Sequence, residues 1–187
     1  TMIPASGDIY ASSGSSHFIG RMRDDGYLSM IVTSTSNAIS SIGDYGNFLD
    51  EANHSSFAKT DLISPADISF SSVSGDITIG TDGYYYLSYV GVLGASADLF
   101  ATGSIRKNST GISDGTLLLS SRYRIDSDAS PVERTLSGIF QFSANDTIQF
   151  WFTKESGGNL TQEYAIVTAL KVGDSGGGGD GGGYGES

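Results

Sequence analysis

The chain has 187 residues with 38% hydrophobic and 17% charged side chains, 26 glycines and no cysteine. That suffices for one domain with a sizeable core, and it excludes a disulfide scaffold or a thiolate metal site. Twenty-one acidic residues against ten basic ones give a net charge of −11. Such a balance argues against direct nucleic-acid binding and against an anionic membrane surface. No apolar run approaches the roughly 20 residues of a membrane span, and the sequence shows no signal-peptide pattern.

Short runs that alternate apolar and polar residues, punctuated by Gly, Asn, Asp and Ser, predict an all-β sandwich. In chain order the predicted strands are a short one near 7–10, then 26–33 (GYLSMIVT), 67–73 (DISFSSV) and 77–79. They continue with 83–93 (GYYYLSYVGVL), 99–107 (LFATGSIRK), 116–123 (TLLLSSRY), 134–142 (RTLSGIFQF), 147–153 (TIQFWFT) and 164–172 (YAIVTALKV). Together they make about ten strands, a usual number for two stacked sheets. Only 46–53 (GNFLDEAN) offers a helical turn.

Period-2 reading separates the faces of each strand. Over 83–93 one face holds Tyr85, Leu87 and Tyr89, and the other Tyr84, Tyr86, Ser88 and Val90. Over 147–153 Ile148, Phe150 and Phe152 oppose Gln149 and Trp151. A strand with rings on both faces is expected to lie between the core and a second subunit. Tyr84, Tyr85, Tyr86, Leu87, Tyr89, Phe150, Trp151 and Phe152 are therefore the candidates for that contact.

The organisation expected is a sandwich domain over 1–172 and a glycine-rich acidic arm over 173–187, where nine of fifteen residues are glycine. Gly176, Gly177, Gly178, Gly179 and Tyr184 are candidates for contact with a partner through this arm.

Catalytic patterns fail on context. Gly111-Ile112-Ser113-Asp114-Gly115 fits G-x-S-x-G but lies in a Gly/Ser-rich loop with no helix after it, and His17 and His54 are the chain's two imidazoles. Gly176, Gly178 and Gly181 match G-x-G-x-x-G without the strand and helix that dinucleotide binding needs. The loop carboxylates Asp24, Asp25, Asp44, Asp50, Glu51, Asp126 and Asp128 lack the spacing of a calcium loop. No catalytic residue, metal or cofactor is expected. The N-x-[ST] matches at Asn53, Asn108, Asn145 and Asn159 mark surface turns.

Gly83-Tyr84-Tyr85-Tyr86-Leu87-Ser88-Tyr89 resembles the Gly-x-Tyr-Tyr-Phe-x-Tyr strand of the C1q/TNF-like jelly roll. Gly138-Ile-Phe-Gln-Phe142-Ser-Ala-Asn145-Asp146-Thr-Ile148-Gln-Phe150 is similar to that family's leucine strand, Gly-Asp turn and Val-x-Leu strand. Asn145 stands where the family has Gly, and Asn tolerates the same left-handed turn. Ile105-Arg-Lys-Asn108 resembles the I-x-K-N-G hairpin, with Ser109 in place of Gly. Asn108, Asn145 and Asp146 are thus candidate turn residues. The likeness covers 67–172, while the closing strand Ala165–Val172 lacks the family's Phe-Gly-Phe.

The resemblance implies a ten-strand jelly roll, a homotrimer packed through one sheet, and no catalysis. It also implies that the two aromatic segments lie side by side in that sheet. The short, cysteine-free, Ser/Gly-rich sequence looks most like versions carried by bacteriophages. That implies a capsid decoration, head-fibre or tail-fibre protein in a virion assembled in bacterial cytoplasm, with other virion proteins as partners. Two alternatives share the fold: a module for a host surface glycan or receptor at a fibre tip, and a bacterial surface or spore-coat domain. The first expects exposed loop residues such as Tyr45, Phe48 and Tyr123, or the pair Arg122 and Arg124. The second expects a collagen-like stalk, for which the glycines lack the three-residue period.

Overall fold

The computed structural model describes residues 27–33, 39, 45–47, 49, 56–63, 67–71, 73–129 and 131–175. Eleven strands occupy them: β1 (Tyr27–Thr33), β2 (Tyr45–Asn47), β3 (Ser56–Ile63), β4 (Ile68–Ser71), β5 (Asp76–Ile79) and β6 (Gly83–Ala95). The rest are β7 (Leu99–Lys107), β8 (Thr116–Ile125), β9 (Val132–Phe142), β10 (Thr147–Lys154) and β11 (Leu160–Gly173). A single 3₁₀ turn, Ser127–Ala129, is the helical element among the described residues.

The strands form two antiparallel sheets. One has five strands in the order β3-β1-β11-β6-β9; the other runs β4-β5-β10-β7-β8, with β2 paired to β10. This is the jelly-roll sandwich that the alternating runs predict. Two elements differ from expectation. Tyr45–Asn47 is extended because its backbone pairs with Trp151–Thr153 of β10, so strand pairing overrides the helical tendency of 46–53 there. Ser56–Ile63 is a strand the pattern misses, an edge strand holding Lys59 and Asp61 where alternation would need apolar residues. The strand near 7–10 and the arm residues Gly176, Gly177, Gly178, Gly179 and Tyr184 lie outside the described residues.

The core sits between the sheets. Tyr85, Leu87 and Tyr89 of β6 meet Phe150 and Phe152 of β10 there, all with no exposed surface. The Tyr89 ring stacks on Phe150 (centroids 5.7 Å) and leans on Phe152 (5.0 Å), and Tyr85 sits edge-on to Phe142 at 5.9 Å. Each buried phenol needs a polar partner. The Tyr89 hydroxyl donates to Gln162 Oε1 at 2.5 Å, and Tyr85 donates to the Thr81 carbonyl at 2.8 Å. Burial raises both phenol pKa values, that of Tyr89 the more strongly. Gly91, two residues on, leaves room for the Tyr89 ring, since a Cβ there would come within 2.5 Å of the ring carbons.

Candidate functional site: the outer face of the five-stranded sheet

Burial alternates strictly from Gly83 to Leu93 in β6, so every second residue there points away from the core. Register then stacks these outward residues into cross-strand rows. Tyr86 lies between Leu170 of β11 and Ile139 of β9; Ser88 between Thr168 and Ser137; Val90 between Ile166 and Thr135. Apolar and hydroxyl rows thus alternate across the sheet. Ile139 is 62% exposed, Tyr84 41% and Ile166 36%, and Val172 at the adjoining bulge is 48% exposed. Among the outward residues of 84–92, 133–141 and 164–170, Glu133 is the single charge. In a chain of net charge −11, so neutral an outer face is a distinct surface.

The candidate contact residues divide on this geometry. Tyr84 and Tyr86 belong to the outward face. Tyr85, Leu87, Tyr89, Phe150 and Phe152 have no surface to offer a partner, because they fill the contact between the sheets. Trp151 is 9% exposed and lies in the other sheet, paired with Ser104 and Asn47. The two aromatic segments are neighbours only in part. Gly138–Phe142 flanks β6 in β9, whereas Ile148–Phe150 crosses to the second sheet in β10. Ile139, Leu170 and Ile166 join the face unannounced. Ile139 and Ile166 were available from alternation in 134–142 and 164–172, once β6 fixed which set points inward.

The second sheet presents a different exterior. Arg122 Nε donates to Glu155 Oε2 at 2.7 Å and its guanidinium lies 4.1 Å above the Phe100 ring. Thr102 Oγ1 also donates to Glu155, and these two hydrogen bonds hold the carboxyl below its usual pKa. Arg124 pairs with Asp98 and Asp126. Tyr123, by contrast, is half-buried, and its hydroxyl donates to the Thr135 carbonyl at 3.1 Å. Tyr45 and Phe48 have no described side chains.

The candidate turn residues converge at one end of the sandwich. Asn108 and Asn145 take left-handed φ values of 54° and 71°. Asp146 accepts from Lys107 Nζ (3.2 Å), Asn108 Nδ2 (2.7 Å) and the Ser143 N–H (2.8 Å). Its pKa is lowered: burial works to raise it, and the hydrogen bonds together with the Lys107 charge outweigh burial. Asp114 takes donors from Thr110, Ser109 and Gly111, which pull its pKa well below the carboxylate range. The G-x-S-x-G match is therefore a loop tied to Asp114, with Ser113 at its exposed tip. Among the described residues no group of three or more His, Asp or Glu could hold a metal ion.

No protein-family model matches the chain, and no curated protein matches it. Solved structures do. Murine APRIL at pH 8.0 superposes with a TM-score of 0.52 at 11% identity, over 79% of this chain and 98% of that one. Murine APRIL at pH 5.0 gives 0.51 at 12% identity, over 78% and 99%. Eiger TNF from S. frugiperda covers 81% of this chain and 96% of its own, at a TM-score of 0.49 and 12% identity. The fold is a C1q/TNF-like jelly roll.

Proposed function

We propose that the chain is a non-enzymatic assembly module that closes into a homotrimer through the outer face of its five-stranded sheet. It serves in a bacteriophage virion, as a capsid decoration or fibre component. The observation that carries this reading is the uncharged face around Tyr86, Ile139, Leu170 and Ile166. Apolar area left wet is unfavourable by roughly 25 cal/mol per Å², and further copies of this chain closing around a shared axis are a ready means of covering it. The virion setting draws on the sequence likeness and on the absence of cysteine from the chain.

Mass in solution tests the assembly. Light scattering is expected to give three times 19.5 kDa, and a stable species of one copy would overturn the trimer. The virion setting is tested by proteomics of purified particles, in which the intact chain is expected as a stoichiometric component.

The alternative of a host-glycan or receptor module at a fibre tip draws support from the exposed Arg122 stacked on Phe100. Tyr123 no longer contributes to it, because its hydroxyl is engaged by the β9 backbone. A glycan array without signal would leave only the structural role. A bacterial surface or spore-coat domain remains a third setting for the same fold.

A further inference from the structure

The neutral face is banded, and the bands follow from strand register. Ser88 of β6 pairs with Ser137 of β9 and Thr168 of β11, and Thr168 pairs in turn with Ser29 of β1. Four neighbouring strands thus place four hydroxyl residues in one row. Two residues along in one direction, the same strands place Tyr86, Ile139, Leu170 and Tyr27 in a row. Two residues the other way stand Val90, Ile166 and Ile31, with Thr135 at the β9 end. A hydroxyl band therefore lies between two apolar ones, each about 6.7 Å from the next along the strands.

Such bands discriminate between ways of covering them. A hydroxyl both donates and accepts, so a hydroxyl band facing its own kind, directly or through water, leaves no proton stranded. The same band pressed against Tyr86 and Ile139 would be dried without partners, which buried polar groups avoid. A face of uniform polarity has no such preference and can slip.

The occupant that fits is a second copy of this chain. Each copy carries a net charge of −11, so copies repel everywhere except across a neutral patch. Among the outward residues of 84–92, 133–141 and 164–170, Glu133 is the single charge. A second copy also repeats the bands at the same interval, so its face matches this one band for band. In one copy Ser137 is exposed and Ser88 and Thr168 are half-buried, leaving the row open to contact.

We infer that the row of Ser137, Ser88 and Thr168 sets the height of one copy against the next. Each band meets its own kind, which keeps the strands of neighbouring copies in step. A rotation that repeats without rise closes into a ring, whereas rotation with a rise continues as an open helical stack. The hydroxyl row disfavours the contact slipped by one band, about 6.7 Å, that would start such a stack. The inference rests on the proposed closure through this face and adds what selects the closed form.

Mass measured against concentration tests it, on the full chain and on Ser88→Ala with Ser137→Ala and Thr168→Val. These changes remove the hydroxyls at nearly constant volume and leave both apolar bands in place. The full chain is expected to keep one mass at every concentration. The triple variant is expected to form species of more than three copies, in a proportion that grows with concentration. Thr135→Val is the control, because it adds apolar surface within the Val90 band, and it should keep the single mass. The inference is overturned if the triple variant keeps that mass too, or if Thr135→Val spreads as far as the triple variant does. A full chain that stays one copy throughout overturns the closure itself, and this inference with it, so the two failures are told apart. Where circular dichroism shows the triple variant unfolded, Thr168→Val alone replaces it, with the same two outcomes.

Discussion

The two outer faces of the sandwich cover one core, yet they treat charge in opposite ways. On β6, β9 and β11 the outward rows are Tyr86 with Ile139 and Leu170, then serines and threonines, then Val90 with Ile166. On β7 and β8 the outward positions hold Arg122, Arg124, Phe100 and Thr102, with Arg122 and Thr102 tied to Glu155 and Arg124 to Asp98 and Asp126. Charges paired at the surface are content in water, where each pair is worth little. Exposed isoleucines and tyrosines with no charge among them gain by being covered. That contrast is what supports the proposed assembly through the neutral face rather than the charged one.

The largest expected effect comes from putting charge into the neutral face. Tyr86→Asp with Ile139→Asp places carboxylates in adjacent positions of one row, where closure around a symmetry axis would bring six of them together. Light scattering should then report one copy of 19.5 kDa in place of three, with the strand signature in circular dichroism retained. Arg122→Glu on the opposite face should leave the mass unchanged. If both variants dissociate, or neither does, the faces do not differ in the way described.

The core beneath both faces sets the next scale. Phe152→Ala opens a cavity beside Tyr89, whose ring centroid lies 5.0 Å away. The expected loss is about 3–5 kcal/mol, a fall in melting temperature on the order of 10 °C for a chain of this size. Calorimetry under assembling conditions checks it. A loss below about 1 kcal/mol would mean that the sheets part and refill the space, unlike close-packed interiors.

How much of this was legible in the sequence depends on the strand. Gly83–Leu93 shows both of its faces in its alternation. What alternation cannot supply is which face is the core, since Tyr85 and Tyr86 are the same side chain in opposite surroundings. The difference lies in distant partners: Tyr89 finds Gln162, 73 residues away, and Phe150 arrives from the other sheet. β10 misleads for the same reason, because Phe150 and Phe152 look like an interface until the chain folds them inward. β3 escapes because Lys59 and Asp61 break its pattern, and β2 because three residues carry no period. The turns were readable, since Asn is one of few residues that accept a positive φ and both Asn108 and Asn145 do so. The role of Asp114, gathering its own loop, needs coordinates to see.

Acid should act on the loop end as well as on the charged face. The pKa of Asp146 is lowered in the fold, so its contribution is fully present above the unfolded carboxyl value, about 3.9. That contribution is lost as pH falls through the folded value, when the proton displaces the donors Lys107, Asn108 and Ser143. Asp146→Asn should flatten the dependence of stability on pH below about pH 4. Part of the slope should survive, because Asp114, Asp98 and Glu155 are lowered too. An unchanged slope in denaturant titrations at pH 3 and pH 6 would remove Asp146 from the acid response.

The smallest effect is expected on the charged face, and its smallness is informative. Arg122→Ala removes the pair with Glu155 and the stacking over Phe100, both formed by a side chain 58% exposed. Exposed ion pairs contribute about 0–1 kcal/mol and exposed cation–π contacts about 0.5–1 kcal/mol. The two share one guanidinium, so their sum is an upper bound. Stability should therefore fall by no more than about 2 kcal/mol, less at high salt as the pair is screened. A larger loss, insensitive to salt, would mean that Arg122 is buried in the working assembly. The second sheet would then be a contact surface as well, and the contrast between the two faces would fail.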